Sequence, residues 1–106
     1  MSLDQVFFAL SDPTRRQVLE HIRLEPESVG NIAERLPVSR PAVSQHLKIL
    51  KDAHLVTEER RGTRNIYSID PDGIAALRDY FNDYWGLALD RFKTFAEETA
   101  KSGDDR

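Results

Sequence analysis

Apolar residues recur along this chain mostly at spacings of three and four, the period of helices that bury one face. Leu3, Val6, Phe7 and Leu10 mark a first helix. Asp12 followed by Pro13 reads as a cap with a proline just inside it. Val18, Leu19 and Ile22 form the buried stripe of the helix that follows. The pattern breaks at Glu25–Ser28. Ser28 then caps a short third helix, with Val29, Ile32, Ala33 and Leu36 on its apolar face. Pro37 ends that helix by pushing Leu36 out of the helical region. Ser39 caps the next helix almost at once. Two short helices joined by so tight a turn have the outline of a helix-turn-helix.

After Leu55 the period changes. The stretch "VTEERRGTRNIYSI" reads as two strands around Gly62–Thr63, and glycine leading a two-residue loop suits a type II′ hairpin. His54, in "DAHLV", falls in a C-terminal turn where a left-handed residue is wanted. Asp70 and Pro71 restart a helix by the cap-plus-proline device. Ile74, Leu77, Phe81, Tyr84, Ala88, Phe92, Phe95 and Thr99 then step by three or four. The expected fold is mainly α with a small β-hairpin wing, a winged helix-turn-helix. It is expected as one domain over residues 1–100, with the helix-turn-helix at 28–54, the wing at 56–69, a last helix at 71–99 and a polar tail at 101–106. Whether Gly86 bends the last helix is open at this stage.

The helix in "VSRPAVSQHLKILKDAHLV" (38–56) separates into two faces. Ala42, Val43, His46, Leu47, Ile49, Leu50, Ala53 and His54 share one arc, and Arg40, Pro41, Ser44, Gln45, Lys48, Lys51 and Asp52 share the other. Any surface helix segregates in this way, so amphipathicity alone favours simple packing. The chemistry of the wet face points elsewhere. An ordinary solvated face carries Glu/Lys pairs, whereas no carboxylate precedes Asp52 here. Arg, Gln and Ser donate to phosphates and base edges, and the N-terminal turns of a recognition helix are the part that enters the major groove. His46 lies mid-way along the apolar arc, where it either packs or touches a phosphate. At the hairpin tip Arg61 faces Arg64 with Arg60 beside them. Like charges in register destabilise a hairpin, unless the arginines splay into solvent or an anionic partner offsets the cost.

The net charge of −3 looks unsuited to nucleic acid until it is divided. Residues 39–69 carry six basic and three acidic side chains, while both flanking segments are acidic. A local basic footprint is hidden by the whole-chain average. With no cysteine there is no disulfide or thiolate chemistry, and no apolar run reaches a membrane span. No signal-peptide pattern opens the chain, so a cytoplasmic protein is expected. No catalytic triad, phosphate-cradling glycine loop or acid/base carboxylate pair stands out, so no enzyme is expected.

At this point the chain resembles the ArsR/SmtB family of bacterial repressors. The matching stretches are "ALSDPTRRQVLEHI" (9–22), "SVGNIAERLPVSRPAVSQHLKILKDAHLV" (28–56) and "RRGTRNIYSID" (60–70), nearly the whole chain. The resemblance implies a homodimer joined by its first and last helices, through Leu3, Val6, Phe7 and Leu10 and through Phe81, Tyr84, Trp85, Ala88, Phe92 and Phe95. The crowding of Tyr80, Leu87 and Leu89 among those last residues fits that expectation, since it exceeds what a small monomer covers easily. A dimeric reader meets an inverted-repeat, double-stranded DNA operator. The residues expected to contact DNA are Ser39, Arg40, Pro41, Ser44, Gln45, His46, Lys48, Arg60, Arg61, Thr63 and Arg64. Many family members sense metals through cysteines before the recognition helix, or through Asp/His sites on the last helix. Here the first place reads "ESVGNIAERL" and the last helix has no histidine. No metal and no cofactor is therefore expected, and the effector is unknown. The alternative reading is a winged-helix module whose basic face serves an acidic protein.

Overall fold

Short polar side chains open the helices by accepting free backbone N–H groups. Ser2 accepts from Gln5, Asp12 from Thr14, Ser28 from Asn31 and Ser39 from Ala42. The computed structural model describes residues 2–104. It comprises α1 (Leu3–Leu10), α2 (Pro13–Arg23), β1 (Glu27–Ser28), α3 (Val29–Arg35), α4 (Arg40–Asp52), β2 (Val56–Arg61), β3 (Arg64–Ile69) and α5 (Pro71–Asp104). The strands form one antiparallel sheet in the order β1-β3-β2.

Val18, Ile22, Ile32, Val43, Leu47, Leu50, Leu55 and Val56 are fully or almost fully buried and form one cluster with Val6 and Ala9. Burying each large aliphatic side chain is worth roughly 1.5–3 kcal/mol. Three such residues on α4, Val43, Leu47 and Leu50, therefore fix the roll of that helix. The sequence-based expectation for Val6 fails here. It was assigned to a seam between copies, but α1 turns Val6 and Ala9 inward, where both are inaccessible to solvent. Leu3 and Leu10 are half-buried, and Phe7 and Phe8 face outward.

The C-terminus of α1 is closed by the next helix. Arg15 Nε donates to Ala9 O at 2.7 Å, Arg15 Nη2 to Phe8 O at 3.2 Å and Arg16 Nη1 to Leu10 O at 2.7 Å. Three carbonyls left over by the helix thus find cationic donors.

Strand β1 has no counterpart in the sequence reading. Glu27 pairs with Tyr67 and Ser28 with Ile66, so the wing is tied to the start of α3. Glu27 is buried, and its carboxylate accepts from Arg35 at 3.0 Å and Asn31 at 3.2 Å. A two-residue strand lacks any alternation from which to read it.

α5 begins against the end of α4. His54 takes the left-handed conformation at φ 58°, which carries the chain from α4 into β2. Gly73 N donates to His54 O at 2.8 Å. α5 then runs through Gly86 without interruption for 34 residues. It ends at Asp104, beyond the expected limit of 99, with no proline to stop it although Ser102 and Gly103 are weak helix formers. The stretch expected as a polar tail is therefore helical through Asp104, and residues 105 and 106 lie outside the described residues. The protein measures 73 × 27 × 21 Å, its length set largely by this helix. Phe7 meets Tyr80 at 5.2 Å between ring centroids and Phe81 at 6.5 Å, both edge-to-face, which joins α1 to α5. Beyond that contact the apolar stripe of α5 is bare, with Trp85, Phe92 and Phe95 64–69% exposed.

Candidate nucleic-acid interface

The face of α4 expected to be wet is wet. Arg40, Pro41, Ser44, Gln45 and Lys48 are exposed, while Val43, Leu47 and Leu50 are buried. Ser39 Oγ accepts from Ala42 N at 3.3 Å and Pro41 occupies the second helical position, so the helix starts with a rigid turn. Four residues, 36–39, separate α3 from α4, and Leu36 is extended at φ −117° and ψ 147°.

Gly62 sits at φ +63°, whereas Thr63 beside it does not reach positive φ, which makes the turn type II′. Arg61 and Arg64 face each other in register. The like-charge opposition is softened on one side, since Arg61 meets Glu59 at 3.4 Å. Arg60 Nε donates to Gly62 O at 3.2 Å and braces the turn. Among the described residues, Arg40, Lys48, Arg60 and Arg64 form no salt bridge. These cations are consequently available to a polyanion without first breaking an ion pair.

Between the wing and the helix-turn-helix lies a cleft of about 250 Å³, lined by residues 28–31, Glu34, Arg40 and residues 63–65. It brings the two arginines Arg40 and Arg64 to one polar hollow. Gly30, Asn31 and Asn65 were not among the expected site residues. The hairpin register would have located Asn65 beside Arg64, but Asn31 is brought there only by the pairing of β1 with β3.

His46 departs from expectation. Its side chain is only 16% exposed, and Nδ1 faces Arg15 Nη1 at 3.3 Å and Asp12 Oδ2 at 3.7 Å. The ring points into the domain, away from the wet face, because its position on α4 lies in the apolar arc.

A second polar chain ties the wing to α4. Lys51 Nζ donates to Glu58 Oε1 at 3.0 Å, and Tyr67 Oη donates to Glu58 Oε2 at 2.6 Å. The Tyr67 and Lys51 hydrogen bonds hold the Glu58 carboxyl below its ordinary range. Burial first, and then the bond to Glu58, push the Tyr67 hydroxyl up to about 12. A depressed carboxyl gives stability above its ordinary pKa that is lost as pH falls through the lowered value. A raised phenol gives stability below pH ~10 that is lost as pH rises towards the folded value. Absorbance titration should therefore find a tyrosinate ionising near 12 that disappears in Tyr67→Phe. Glu58→Gln should lower it only part of the way towards ~10, because burial remains. A Tyr67 that ionises near 10 would contradict this geometry.

The fold also gathers one His/carboxylate group among the described residues, His54, Asp70 and Asp72, with donor atoms within 4.8 Å of one another. Asp70 Oδ1 is already engaged by Asp72 N at 2.9 Å as the cap of α5. Asp70 Oδ2 remains beside His54 Nδ1 at 4.0 Å. The sequence contains no cysteine.

A tri-helical core, a polar-faced second helix of a helix-turn-helix and a basic antiparallel wing define a winged helix-turn-helix DNA-binding protein. Comparison with known proteins narrows the class. The family described as a helix-turn-helix domain matches residues 10–59. The chain is 47% identical over 104 residues to the HTH-type transcriptional regulator Rv2034 of Mycobacterium tuberculosis, covering 98% of this chain and 94% of that one. It is 40% identical over 80 residues to the transcriptional repressor SdpR of Bacillus subtilis, covering 76% and 86% of the two chains. Among solved structures, a possible transcriptional regulator for arsenical resistance superimposes with a TM-score of 0.70 at 40% identity, covering 86% of this chain and 94% of that one. The homodimeric winged helix-turn-helix DNA-binding domain (fragment 1–100) of a possible ArsR-family regulator from Mycobacterium bovis gives 0.64 at 27%, covering 83% and 82%. This chain belongs to the ArsR/SmtB family and is a DNA-binding transcriptional regulator. No helix among the described residues is long and apolar enough to cross a membrane.

Proposed function

We propose that two copies associate through α1 and α5 and repress transcription by occupying an inverted-repeat operator. The observation that carries this reading is the wet face of α4. It presents donors suited to bases and phosphates, and the cations Arg40, Lys48, Arg60 and Arg64 beside it have no salt-bridge partner among the described residues. Ser44 and Gln45 read base edges. Ser39, Arg40 and Lys48 hold phosphates beside them, with Pro41 keeping the first turn rigid. Arg60, Arg61, Thr63 and Arg64 follow the adjacent backbone or minor groove. The cleft between Arg40 and Arg64 seats a backbone phosphate.

The pairing of copies is supported by the bare stripe of Phe81, Tyr84, Trp85, Ala88, Phe92 and Phe95 on α5, continuous with Phe7 on α1. The Mycobacterium bovis relative is described as homodimeric. Gene regulation of this kind needs no catalytic step and no cofactor, and it takes place in the cytoplasm.

Selection of duplexes from a random pool by the full chain tests the reading. The expected result is enrichment of an inverted repeat with half-sites about 10 base pairs apart, centre to centre. The same preparation should sediment as a dimer. A pool that stays random after repeated rounds would refute sequence-specific binding.

A further inference from the structure

One buried cation is not accounted for by the DNA-facing surface. Arg15 is 5% exposed, yet its guanidinium meets three parts of the fold. Nε and Nη2 hold the last carbonyls of α1, at Ala9 and Phe8. Nη1 faces Asp12 Oδ2, at the cap of α2, at 3.6 Å. The same Nη1 faces His46 Nδ1, on α4, at 3.3 Å. The Phe8 ring lies 5.3 Å from the guanidinium carbon and closes the site from outside. Arginine can only donate, so a hydrogen bond here has His46 Nδ1 as acceptor and the ring proton on Nε2, with Asp12 Oδ2 3.7 Å from the same Nδ1. A planar fork with donors fixed in three directions allows little relative movement of the groups it holds. Burial strengthens each bond and raises the cost of breaking it.

We propose that Arg15 and His46 form a positioning joint through which the end of α1 sets the orientation of the reading helix α4, so that His46 acts on DNA binding without touching DNA. His46 is one residue from Gln45 and two from Ser44 on the same helix, so a backbone shift that follows its ring moves both. On the other side of the joint, Phe7 and Phe8 belong to the helix proposed to meet a second copy. Assembly and base reading are thereby mechanically linked. The inference rests on the operator reading above and adds a residue role to it.

His46→Asn keeps an acceptor where Nδ1 stood, because Asn Oδ1 lies the same number of bonds from Cα. His46→Leu fills similar space with no acceptor. Both full-length variants are compared on a duplex selected from a random pool by the unmodified chain, and on poly(dI-dC). The expected result is about a tenfold loss for His46→Leu on the selected duplex alone, with His46→Asn close to the unmodified protein. Equal behaviour of the two variants overturns the joint. So does an equal loss on both duplexes, which would mean general packing or a phosphate contact. Failure of the unmodified chain to select any sequence removes the operator reading itself, and the joint with it. A nitrogen-15 spectrum of the unmodified protein decides the matter even where His46→Leu fails to fold. The His46 ring proton should be on Nε2, and a proton on Nδ1 overturns the proposal.

Discussion

Gly73→Ala is expected to destabilise the protein by ~3 kcal/mol, although alanine is the better helix former by about 1 kcal/mol. A Cβ at this position would lie 2.4 Å from His54 O, 2.8 Å from His54 C and 2.9 Å from Ala53 O. All three are backbone atoms, so no side-chain rotation relieves the clash. Either α5 lifts away and the 2.8 Å bond from Gly73 N to His54 O breaks, or the left-handed turn at His54 shifts. Both routes disturb the exit of the reading helix. Urea unfolding should show a lower midpoint with little change in slope. An alanine variant as stable as the parent would mean that α4 and α5 do not approach so closely.

Gln45→Ala is expected to cost roughly 1–3 kcal/mol on the selected duplex and much less on random DNA. Gln45 is exposed on the second turn of α4, where an amide can address a base edge with acceptor and donor together. Arg61→Ala should behave differently, with similar losses on the two duplexes. Its guanidinium is on the wing tip, and part of its charge is already answered by Glu59 at 3.4 Å. A contact to the sugar-phosphate backbone carries no sequence information. Fluorescence anisotropy on both duplexes separates the cases. Equal losses for Gln45→Ala would show that it does not read bases.

Features decided by neighbours in sequence were legible before the fold. The caps at Asp12, Ser28 and Ser39, the extended Leu36 before Pro37, the left-handed His54 and the turn at Gly62 all follow from local sterics and local hydrogen bonds. The two faces of α4 followed from periodicity, and so did the facing of Arg61 and Arg64. Contacts made across the fold were not legible. Arg15 and Arg16 look like a surface pair in "SDPTRR", yet they reach back to carbonyls six or seven residues earlier. Val6 and Phe7 share an apolar stripe in sequence, and the packing of α1 sent one inward and the other outward. His46 lies on the apolar arc as its spacing predicts, and the structure packs its ring against α2 rather than presenting it on the wet face. Its partners, Asp12 and Arg15, come from the cap and first turn of α2, more than thirty residues away in the chain. β1 was too short for any pattern, and with it went the approach of Asn31 to the wing.

The Lys51–Glu58–Tyr67 chain has a consequence for measuring length along DNA. It links the last turn of α4 to both wing strands. If α4 and the wing grip DNA as proposed above, this link sets the span between the two grips, and the pair acts as a ruler. Tolerance for altered operators should then be found only between half-sites, where two rulers are joined. A base pair inserted within a half-site would leave one of the two grips empty.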